Sequence, residues 1–390
     1  MTMKVAFARC ADYQSAAIEA ALTRALACLD APQLRGGKPL RVLIKPNLLT
    51  DRPPAAAATT HPEVVRAIIR ILRRHGHQPV VADSAASPHK MERVWAVTGF
   101  AGMCAEENVP LLNLEQAGAR MFEYQGVPFS IARPVLEADL VVNAPKLKTH
   151  LLTIMTGAVK NIYGVIPGAQ KTALHRAFPS AALLGGFLAH LYSLVRPGLT
   201  VCDAVLAMDG NGPAAGRPVR LGFLAAADDG VALELAICRL LRIRPADLPY
   251  LTTPLVARNS MDAPESFSIM GDFTAATRLP AFELPVTFVR RLIPARLVRK
   301  LRRWLWSRPV FGPNCIRCGR CVAACPAPAI ALPDAGPPRL EWSACIECGC
   351  CSEVCPVNAI AIRQSRLLRA VQFARMATGK ILAAKNEPAP

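Results

Sequence analysis

A cysteine pattern that occurs twice near the C-terminus constrains this chain more than any other feature. The two copies begin thirty residues apart and read Cys315-Ile-Arg-Cys318-Gly-Arg-Cys321-Val-Ala-Ala-Cys325-Pro326 and Cys345-Ile-Glu-Cys348-Gly-Cys-Cys351-Ser-Glu-Val-Cys355-Pro356. Nine of the fourteen cysteines lie in this stretch, and the first residues of the chain lack the apolar segment of an export signal. Close, regular spacing in such a chain indicates metal ligation rather than disulfide bonds.

The spacing within each copy suits an iron–sulfur cubane. Three thiolates separated by two residues can hold three irons, Gly319 or Gly349 permits the tight turn between them, and the fourth cysteine leads the chain away. Zinc is the alternative, but zinc sites usually pair two C-x2-C units across a longer loop. Four cysteines within eleven residues therefore favour clusters.

The stretch from 314 to 362 resembles the two-cluster bacterial ferredoxins. This resemblance implies two [4Fe-4S] clusters with crossed ligation. One cluster would be held by Cys315, Cys318, Cys321 and Cys355, and the other by Cys345, Cys348, Cys351 and Cys325. Cys350 is left over as a non-ligating thiol. Because crossed ligation ties the two halves together, we expect neither half to fold well without iron and sulfide.

Composition indicates a globular protein with anionic partners. Hydrophobic residues make up 52% of the 390 residues and charged residues 19%, so the chain can bury more than one core. Lys and Arg number 46 against 28 Asp and Glu, giving a net charge of +18. Such a surplus attracts phosphorylated or carboxylated substrates, acidic lipids, nucleic acid or acidic proteins. Nucleic acid is not expected, because aromatic residues are only 6% and no binding motif occurs.

The apolar runs predict a protein that does not cross a membrane. The longest of them, residues 180–195, is shorter than the about 18 residues that a transmembrane helix needs, and it contains His190. We therefore expect a cytoplasmic location.

The first part of the chain alternates between strand and helix patterns. Residues 41–45 and 79–82 are short apolar runs, and 61–74 between them has helical periodicity, which together predict a βαβ unit. Later apolar runs repeat the alternation. We predict an α/β domain over 1–285 with a mostly parallel sheet and helices on both faces. A basic amphipathic linker over 286–312, a small α+β ferredoxin-like domain over 313–364 and a C-terminal helix and tail over 365–390 follow.

Polar side chains stand where the predicted strands end. In parallel sheets the carboxyl ends of strands meet at one edge, where ligands bind. Lysines meeting there would repel one another unless an anion lay among them. The predicted substrate-binding residues are Lys45, Asn47, Lys146, Lys148, Lys160 and Asn161, and the predicted catalytic residues are His150, His61 and Asp83. Two alternatives remain open: Lys160 as an ordinary exposed helix lysine, and His61 as a helix cap.

Several segments resemble one protein family. "VLIKPNLLT", "VVADSA", "VVNAPKLKTH" and "GAVKNIYGVIPGAQKTALH" are similar to the domain of unknown function numbered 362, over roughly residues 40–240. The resemblance implies an iron–sulfur protein without an assigned reaction. One departure is Glu234, since an aspartate is expected at or near that position.

Residues 296–306 combine an apolar helical stripe with basic faces. Between Val289 and Arg308 there are eight Arg or Lys and no acid. Three uses are open: docking the ferredoxin-like domain onto the main domain, peripheral contact with an anionic membrane, or binding an acidic redox partner.

These features predict an iron–sulfur oxidoreductase. Single electrons from a redox partner protein would pass through two [4Fe-4S] clusters to a small anionic substrate in the α/β domain. The alternative is a non-catalytic accessory protein, for electron transfer or cluster handling, that docks an acidic partner. A redox sensor is a third possibility.

Overall fold

The chain folds around one mostly parallel β-sheet, as the sequence predicts. The structure, a computed structural model, describes residues 3–29, 31, 34, 37–85, 90–168, 170–253, 267–288, 300–301 and 304–371. Ten strands form the sheet: β1 (Met3–Arg9), β2 (Arg41–Pro46), β3 (Gln78–Asp83), β4 (Leu111–Asn113), β7 (Leu140–Ala144), β8 (Lys146–His150), β9 (Ile154–Thr156), β10 (Leu199–Asp209), β11 (Arg217–Ala227) and β12 (Phe267–Gly271). The strands β5 (Ala119–Tyr124) and β6 (Val127–Ala132) form a separate hairpin.

The strand order explains where the polar strand ends meet. Along the sheet the order is β12-β1-β11-β10-β7-β2-β3-β4, and β8 pairs with both β10 and β9. From β10 through β7, β2 and β3 to β4, each strand is parallel to the next, while β11 is antiparallel to β10 and to β1. The carboxyl ends of β7, β2 and β3 therefore lie side by side.

Helices cover both faces of the sheet. They are α1 (Ser15–Leu29), α2 (Pro62–Arg74), α3 (Met91–Thr98), α4 (Phe100–Glu106), α5 (Arg133–Glu137), α6 (Ala158–Asn161), α7 (Gln170–Ala177), α8 (Ala181–Val195) and α9 (Gly230–Leu241). Strand β2 shows the two faces directly, because side chains alternate along a strand. Val42 and Ile44 pack in a core with α1 and α2, whereas Leu43 packs in the core that contains α8 and α9.

A small domain follows the sheet domain. It contains two antiparallel pairs, β13 (Ser307–Phe311) with β16 (Ile360–Gln364) and β14 (Ile330–Ala331) with β15 (Arg339–Leu340), and two short helices, α10 (Arg320–Ala323) and α11 (Cys350–Glu353). Strand β13 falls within the predicted linker 286–312, but its pairing with β16 places it in this domain. The sequence repeat is also a backbone repeat, since Gly319 and Gly349 have φ of 74° and 85°.

The predicted amphipathic helix 296–306 lies mostly outside the described residues. Within the described part, Leu305 is buried and packs against Leu368, and Leu301 is partly buried beside them. Among the described residues, the structure has no helix with the length and apolar character needed to span a membrane.

Candidate functional site

Two voids in the small domain are each lined by four cysteines. One is bordered by Cys325, Cys345, Cys348 and Cys351, and the other by Cys315, Cys318, Cys321 and Cys355. These are the two crossed ligand sets that the ferredoxin resemblance implies. In the described residues, no three His, Cys, Asp or Glu side chains converge closely enough to hold a single metal ion. Thiols that surround a space rather than a point fit a cubane better than a zinc ion.

Backbone amides point at several of these sulfurs. The amide nitrogens of Ala329 and Ala359 lie 3.5 and 3.2 Å from the sulfurs of Cys325 and Cys355, and they donate to them. Ala329 and Ala359 occupy equivalent positions in the two repeats. Hydrogen bonds to sulfur of this kind help to set the potential of a bound cluster. The side chains and the backbone both fit two [4Fe-4S] clusters.

A cavity lies between the sheet domain and the small domain. Its lining comes from the ends of β2 and β3, from β8, β9, α6 and α7, and, in the small domain, from α11 and from Ala324 directly after α10. It brings together seven of the nine predicted catalytic and substrate-binding residues: Lys45, Asn47, Asp83, Lys148, His150, Lys160 and Asn161. Their functional roles stay predictions.

Lys45 and Asp83 form a buried ion pair at the base of this cavity. Their side chains are almost fully buried, and Nζ lies 2.7 Å from Oδ1. Oδ2 of Asp83 accepts a hydrogen bond from the backbone of Leu48, and Nζ of Lys45 also donates to the carbonyl of Pro46. Because Asp83 is fully engaged, its carboxylate fixes the loop after β2. The predicted catalytic role of Asp83 stays a prediction.

Gly164 is the neighbour that makes room for this pair. A Cβ there would lie 2.6 Å from both Oδ1 of Asp83 and Nζ of Lys45. We expect Gly164→Ala to lower the free energy of unfolding by about 2–3 kcal/mol, because it pushes apart a buried, hydrogen-bonded ion pair. Urea denaturation measures this loss. Gly102→Ala, in α4 with nothing near its Cβ, is the matched control, and an equal loss in both variants would contradict the explanation.

Three further lysines line the cavity, and they differ in their partners. Nζ of Lys171 is saturated, since it donates to Ser84 O, Ser84 Oγ and Ala85 O. Lys148 is buried and donates to Asn47 Oδ1 and Ala58 O, but it has no carboxylate partner. Within the described chain, Lys160 donates no hydrogen bond, although its Nζ lies 5.2 Å from the centre of the Tyr163 ring. Among the described residues, neither Lys148 nor Lys160 thus forms an ion pair, and the charge of the Glu353 carboxylate acts on both amines from a longer distance.

Burial governs the charge of these amines. Burial, and then the charge of Lys160, lower the pKa of Lys148 well below its ordinary value. Burial also lowers the pKa of Lys160. An anion bound between the two amines would favour their protonated forms, so binding should be accompanied by proton uptake.

His150 reaches across the cavity to the small domain. Its Nδ1 accepts from the backbone amides of Leu152 and Thr153 at 3.0 and 3.3 Å, so the neutral ring carries its proton on Nε2. Nε2 lies 3.3 Å from Oε1 of Glu353, but the pair is not aligned as a hydrogen bond. Burial, and then the charge of Lys160, lower the pKa of His150 to about 3. Burial alone would raise the pKa of Glu353, yet His150 and Lys160 lower it to about 2.

Several buried polar atoms at this cavity have no hydrogen-bond partner among the described residues. They are His150 Nε2, His175 Nδ1, Thr156 Oγ1 and Glu353 Oε1. Buried polar groups without partners are rare and usually mark a missing water, ion or ligand. Their concentration around one space makes this cavity the candidate site for a polar ligand.

Helix α11 differs from its repeat α10 at the residues that face the cavity. The second copy has Cys350 and Glu353 where the first has Arg320 and Ala323. Both Cys350 and Glu353 are buried and line the cavity. They stand three residues apart and so share one side of the helix. Cys350 is also the direct neighbour of Cys351, which borders one of the cysteine-lined voids.

Arg52 joins the two domains beside the cavity. It lies in the loop after β2 and donates to the carbonyl of Ala214 in the sheet domain. Its other terminal nitrogen donates to the carbonyl of Cys355 at 2.8 Å and to Asn358 Oδ1 at 2.5 Å. A single side chain therefore fixes the loop that holds Lys148 against the domain that supplies Glu353.

Two predicted residues, Lys146 and His61, lie in a separate buried cluster. Nζ of Lys146 is 2.8 Å from Asp203 Oδ2 and donates to Tyr13 Oη at 2.8 Å. The His61 ring stacks on Tyr13 with centroids 3.7 Å apart, and its Nδ1 caps α2 by accepting from Glu63 N. Lys146 lies directly opposite Asp203 on β10, whereas Lys148 lies opposite Met208, so only Lys146 is neutralised by its cross-strand neighbour. The structure gives both residues structural partners away from the cavity.

Glu234, the departure noted in the sequence, also lies outside the cavity lining. Its Oε1 accepts from the backbone amide of Val159 at 2.7 Å, near the start of α6. Burial raises the pKa of Glu234 to about 7. A Cβ on Gly157 would lie 2.7 Å from this carboxyl oxygen, so the glycine provides the space for the contact. Glu234 thus fixes the short helix that carries Lys160.

The prediction from sequence did not include Glu353, Tyr163 or Lys171 in the site. The signal for Glu353 was available, since a charged residue between two ligand cysteines replaces an alanine of the other repeat. Lys171 and His175 are four residues apart on α7, a spacing that places both on one side. Nothing in the sequence placed α7 over the strand ends.

Comparisons with known proteins agree with this two-part architecture. A family described as "Domain of unknown function (DUF362)" matches residues 42–239, and a 4Fe-4S dicluster domain matches residues 314–360. The second match confirms the prediction of iron–sulfur clusters.

One relative is the thylakoid-associated protein sll1697 of Synechocystis sp., which is 34% identical over 222 residues. The match covers 54% of this chain and 66% of that protein, so the chain spans less than two thirds of the relative's length. A solved structure with partial similarity is the lactate racemase apoprotein of Thermoanaerobacterium thermosaccharolyticum. It has a TM-score of 0.39 and 14% identity, and the match covers 60% of this chain and 55% of that one.

Proposed function

Because this chain belongs to the DUF362 family and carries a 4Fe-4S dicluster domain, we propose that it is an iron–sulfur oxidoreductase acting on a small anionic substrate. The substrate binds in the cavity between the two domains. When bound, the two clusters supply single electrons. A cytoplasmic location and a separate redox partner protein belong to the same proposal.

The observation that carries this proposal is the pair of amines without carboxylate partners. Lys148 and Lys160 face the cavity, and neither forms an ion pair within the described residues. Two amines face the single carboxylate of Glu353, so an anion between them supplies the remaining counter-charge. As reduction adds negative charge to the substrate, the two amines in their protonated forms stabilise it further.

His150 and Glu353 supply the proton-handling groups of the site. His150 holds its proton at Nε2, and the Glu353 carboxylate lies 3.3 Å away from that nitrogen. A substrate atom near Nε2 can accept a hydrogen bond from the neutral imidazole. Because Glu353 stands on α11, this pair is complete only when the small domain is docked.

The position of the cavity also gives a reason for joining the sheet domain and the cysteine-rich domain in one chain. Cys350 lines the cavity, and its neighbour Cys351 borders a cysteine-lined void. The substrate is thereby held against the domain that the dicluster comparison identifies.

A non-catalytic electron-transfer protein is the second candidate function. Cys318 is exposed, and it borders the void that Cys315, Cys321 and Cys355 also line. This exposure favours the second function, because an electron carrier needs an accessible face. Such a protein would dock a partner without binding any small anion in the cavity. Anion binding therefore distinguishes the two functions.

We expect pyruvate or inorganic phosphate, used as small-anion probes, to raise the Tm of the anaerobically purified protein. At about one hundred times the Kd, the rise should be roughly 5 °C. Lys148→Met and Lys160→Met should each remove most of this rise, because each deletes one of the two cations. Differential scanning fluorimetry measures the ligand-induced shift, which is independent of any change in the starting Tm.

Lys4→Met is the matched control, since it removes an exposed lysine on β1 far from the cavity. It should keep the full ligand-induced shift. If no small anion stabilises the parent protein, or if the cavity variants respond like Lys4→Met, the anion site is wrong. The electron-transfer function would then be favoured.

A further inference from the structure

Exposed apolar side chains concentrate on one face of the C-terminal part. Trp304 and Trp342 are 57% and 47% exposed, and Leu367 and Val371 are 47% and 37% exposed. Together with Trp306, three of the chain's four tryptophans lie here. Tryptophan side chains are usually largely buried, so several exposed ones in one region need an explanation.

Contacts between distant segments assemble these residues into one surface. Leu305, beside Trp304, packs against Leu368, beside Leu367. The backbone amide of Ser365 donates to the carbonyl of Trp306 at 3.0 Å. The rings of Trp306 and Trp342 lie 5.5 Å apart, edge to face. We call the exposed surface of residues 304–306, 342 and 366–371 the C-terminal face.

The geometry of the helical residues 366–371 directs its apolar side chains to one side. Leu367 and Val371 are four residues apart, so both project from the same side of the helix. Leu368 points instead into the contact with Leu305 and is fully buried. The helix therefore has one apolar side that stabilises the fold and another that meets solvent.

Most of the charged side chains around this face are basic, and the exposed Glu341 is the acidic exception. Lys300, Arg363, Arg366 and Arg369 are exposed. The sequence has no acidic residue in 300–308 or in 360–371. Glu341, next to Trp342, accepts from Ser343. Apolar groups ringed by cations match the boundary between anionic headgroups and acyl chains.

We propose that the C-terminal face binds the surface of an anionic lipid bilayer. Its tryptophans lie at the headgroup level, Leu367 and Val371 enter the acyl region, and the arginines contact lipid phosphates. A fluid bilayer accepts protruding indoles without complementary pockets, which a folded protein partner would have to provide. This peripheral contact is independent of the anion site, because none of these residues lines the cavity.

The test is flotation of the holoprotein with vesicles of phosphatidylcholine, with and without phosphatidylglycerol. We expect binding to be at least about tenfold stronger with phosphatidylglycerol and to weaken as salt is added. Leu367→Ser combined with Val371→Ser should lose at least about tenfold in vesicle binding. Arg366→Gln combined with Arg369→Gln should lose the preference for phosphatidylglycerol.

Met121→Ser is the matched control, because Met121 is 73% exposed on β5. It should bind vesicles like the parent, and equal iron content in all variants shows that they fold alike. Tryptophan emission should shift to shorter wavelength when vesicles bind. The proposal is overturned if the parent does not float with either vesicle. That result is expected if the C-terminal face binds an acidic protein instead of a lipid surface. The proposal is also overturned if the Leu367 and Val371 variant floats like Met121→Ser.

Discussion

Cys351→Ser is expected to lower the iron content of the anaerobically isolated protein by about half, from roughly eight atoms per chain to roughly four. Cys351 is buried and borders a void with Cys325, Cys345 and Cys348. Serine is a poorer ligand for iron than a thiolate, so the cubane at this void should be lost. Iron and sulfide analysis, with EPR of the reduced protein, measures the loss.

The effect should extend to the fold of the small domain. Cys325 comes from the first repeat and the other three cysteines from the second, so this void joins both halves of the repeat. Binding energy at such a site is folding energy. We therefore expect the variant to become sensitive to proteolysis within residues 313–364, while the sheet domain stays resistant.

The neighbouring residue provides the matched control for this experiment. Cys350→Ser makes the same chemical change one position earlier, at a thiol that lines the cavity and neither cysteine-lined void. It should retain all the iron. If Cys350→Ser loses as much iron as Cys351→Ser, the assignment of the ligands is wrong. Equal iron in both variants and the parent would contradict it as well.

The sheet edge was predictable from sequence because its physical cause is local. Apolar runs that end in Lys45, Asp83 and the segment after Asn143 predict parallel strands. The carboxyl ends of parallel strands lie at the same edge of the sheet, and this does not depend on residues elsewhere in the sequence. The same argument did not predict that Lys148 lines the cavity whereas Lys146 is paired with Asp203 outside it. Their difference depends on which residue of β10 lies opposite each of them, and that register is a tertiary property.

The small domain's part in the cavity was not predictable in the same way. The repeat fixes the local backbone around each set of cysteines, as the matching φ values of Gly319 and Gly349 show. It does not say which side of the repeat docks on the sheet. The only sequence difference that bears on docking is Glu353 in the second repeat, where the first repeat has Ala323. This difference can be interpreted only once His150 is known to lie beside Glu353.

Acidification should destabilise this protein steeply between about pH 6.5 and 4.5. Burial, and then the charge of Lys160, lower the pKa of His175 to about 4, as they lower that of His150 to about 3, and burial lowers that of His61 to about 4. In the unfolded chain each imidazole takes up a proton near its ordinary pKa of 6.5. The unfolded state then binds more protons than the folded state, so the free energy of unfolding falls as the pH falls.

Each such histidine contributes about 1.4 kcal/mol per pH unit within this window, and the three together contribute about 4. Glu234, whose pKa burial raises to about 7, binds a proton in the folded state over the same window and offsets about 1.4 kcal/mol per pH unit of this slope. The stability that Glu353 adds is complete above its ordinary pKa of 4.5 and is lost only as the pH falls towards 2, so it does not affect this window. Anaerobic urea denaturation at about pH 7, 6 and 5 measures the slope. His175→Gln should reduce the slope by about 1.4 kcal/mol per unit, whereas His75→Gln replaces an exposed imidazole and controls for the substitution itself. Equal slopes in the parent and His175→Gln would mean that His175 is not held neutral in the folded protein. The description of His175 as a buried, neutral polar group in the cavity between the two domains would then be wrong.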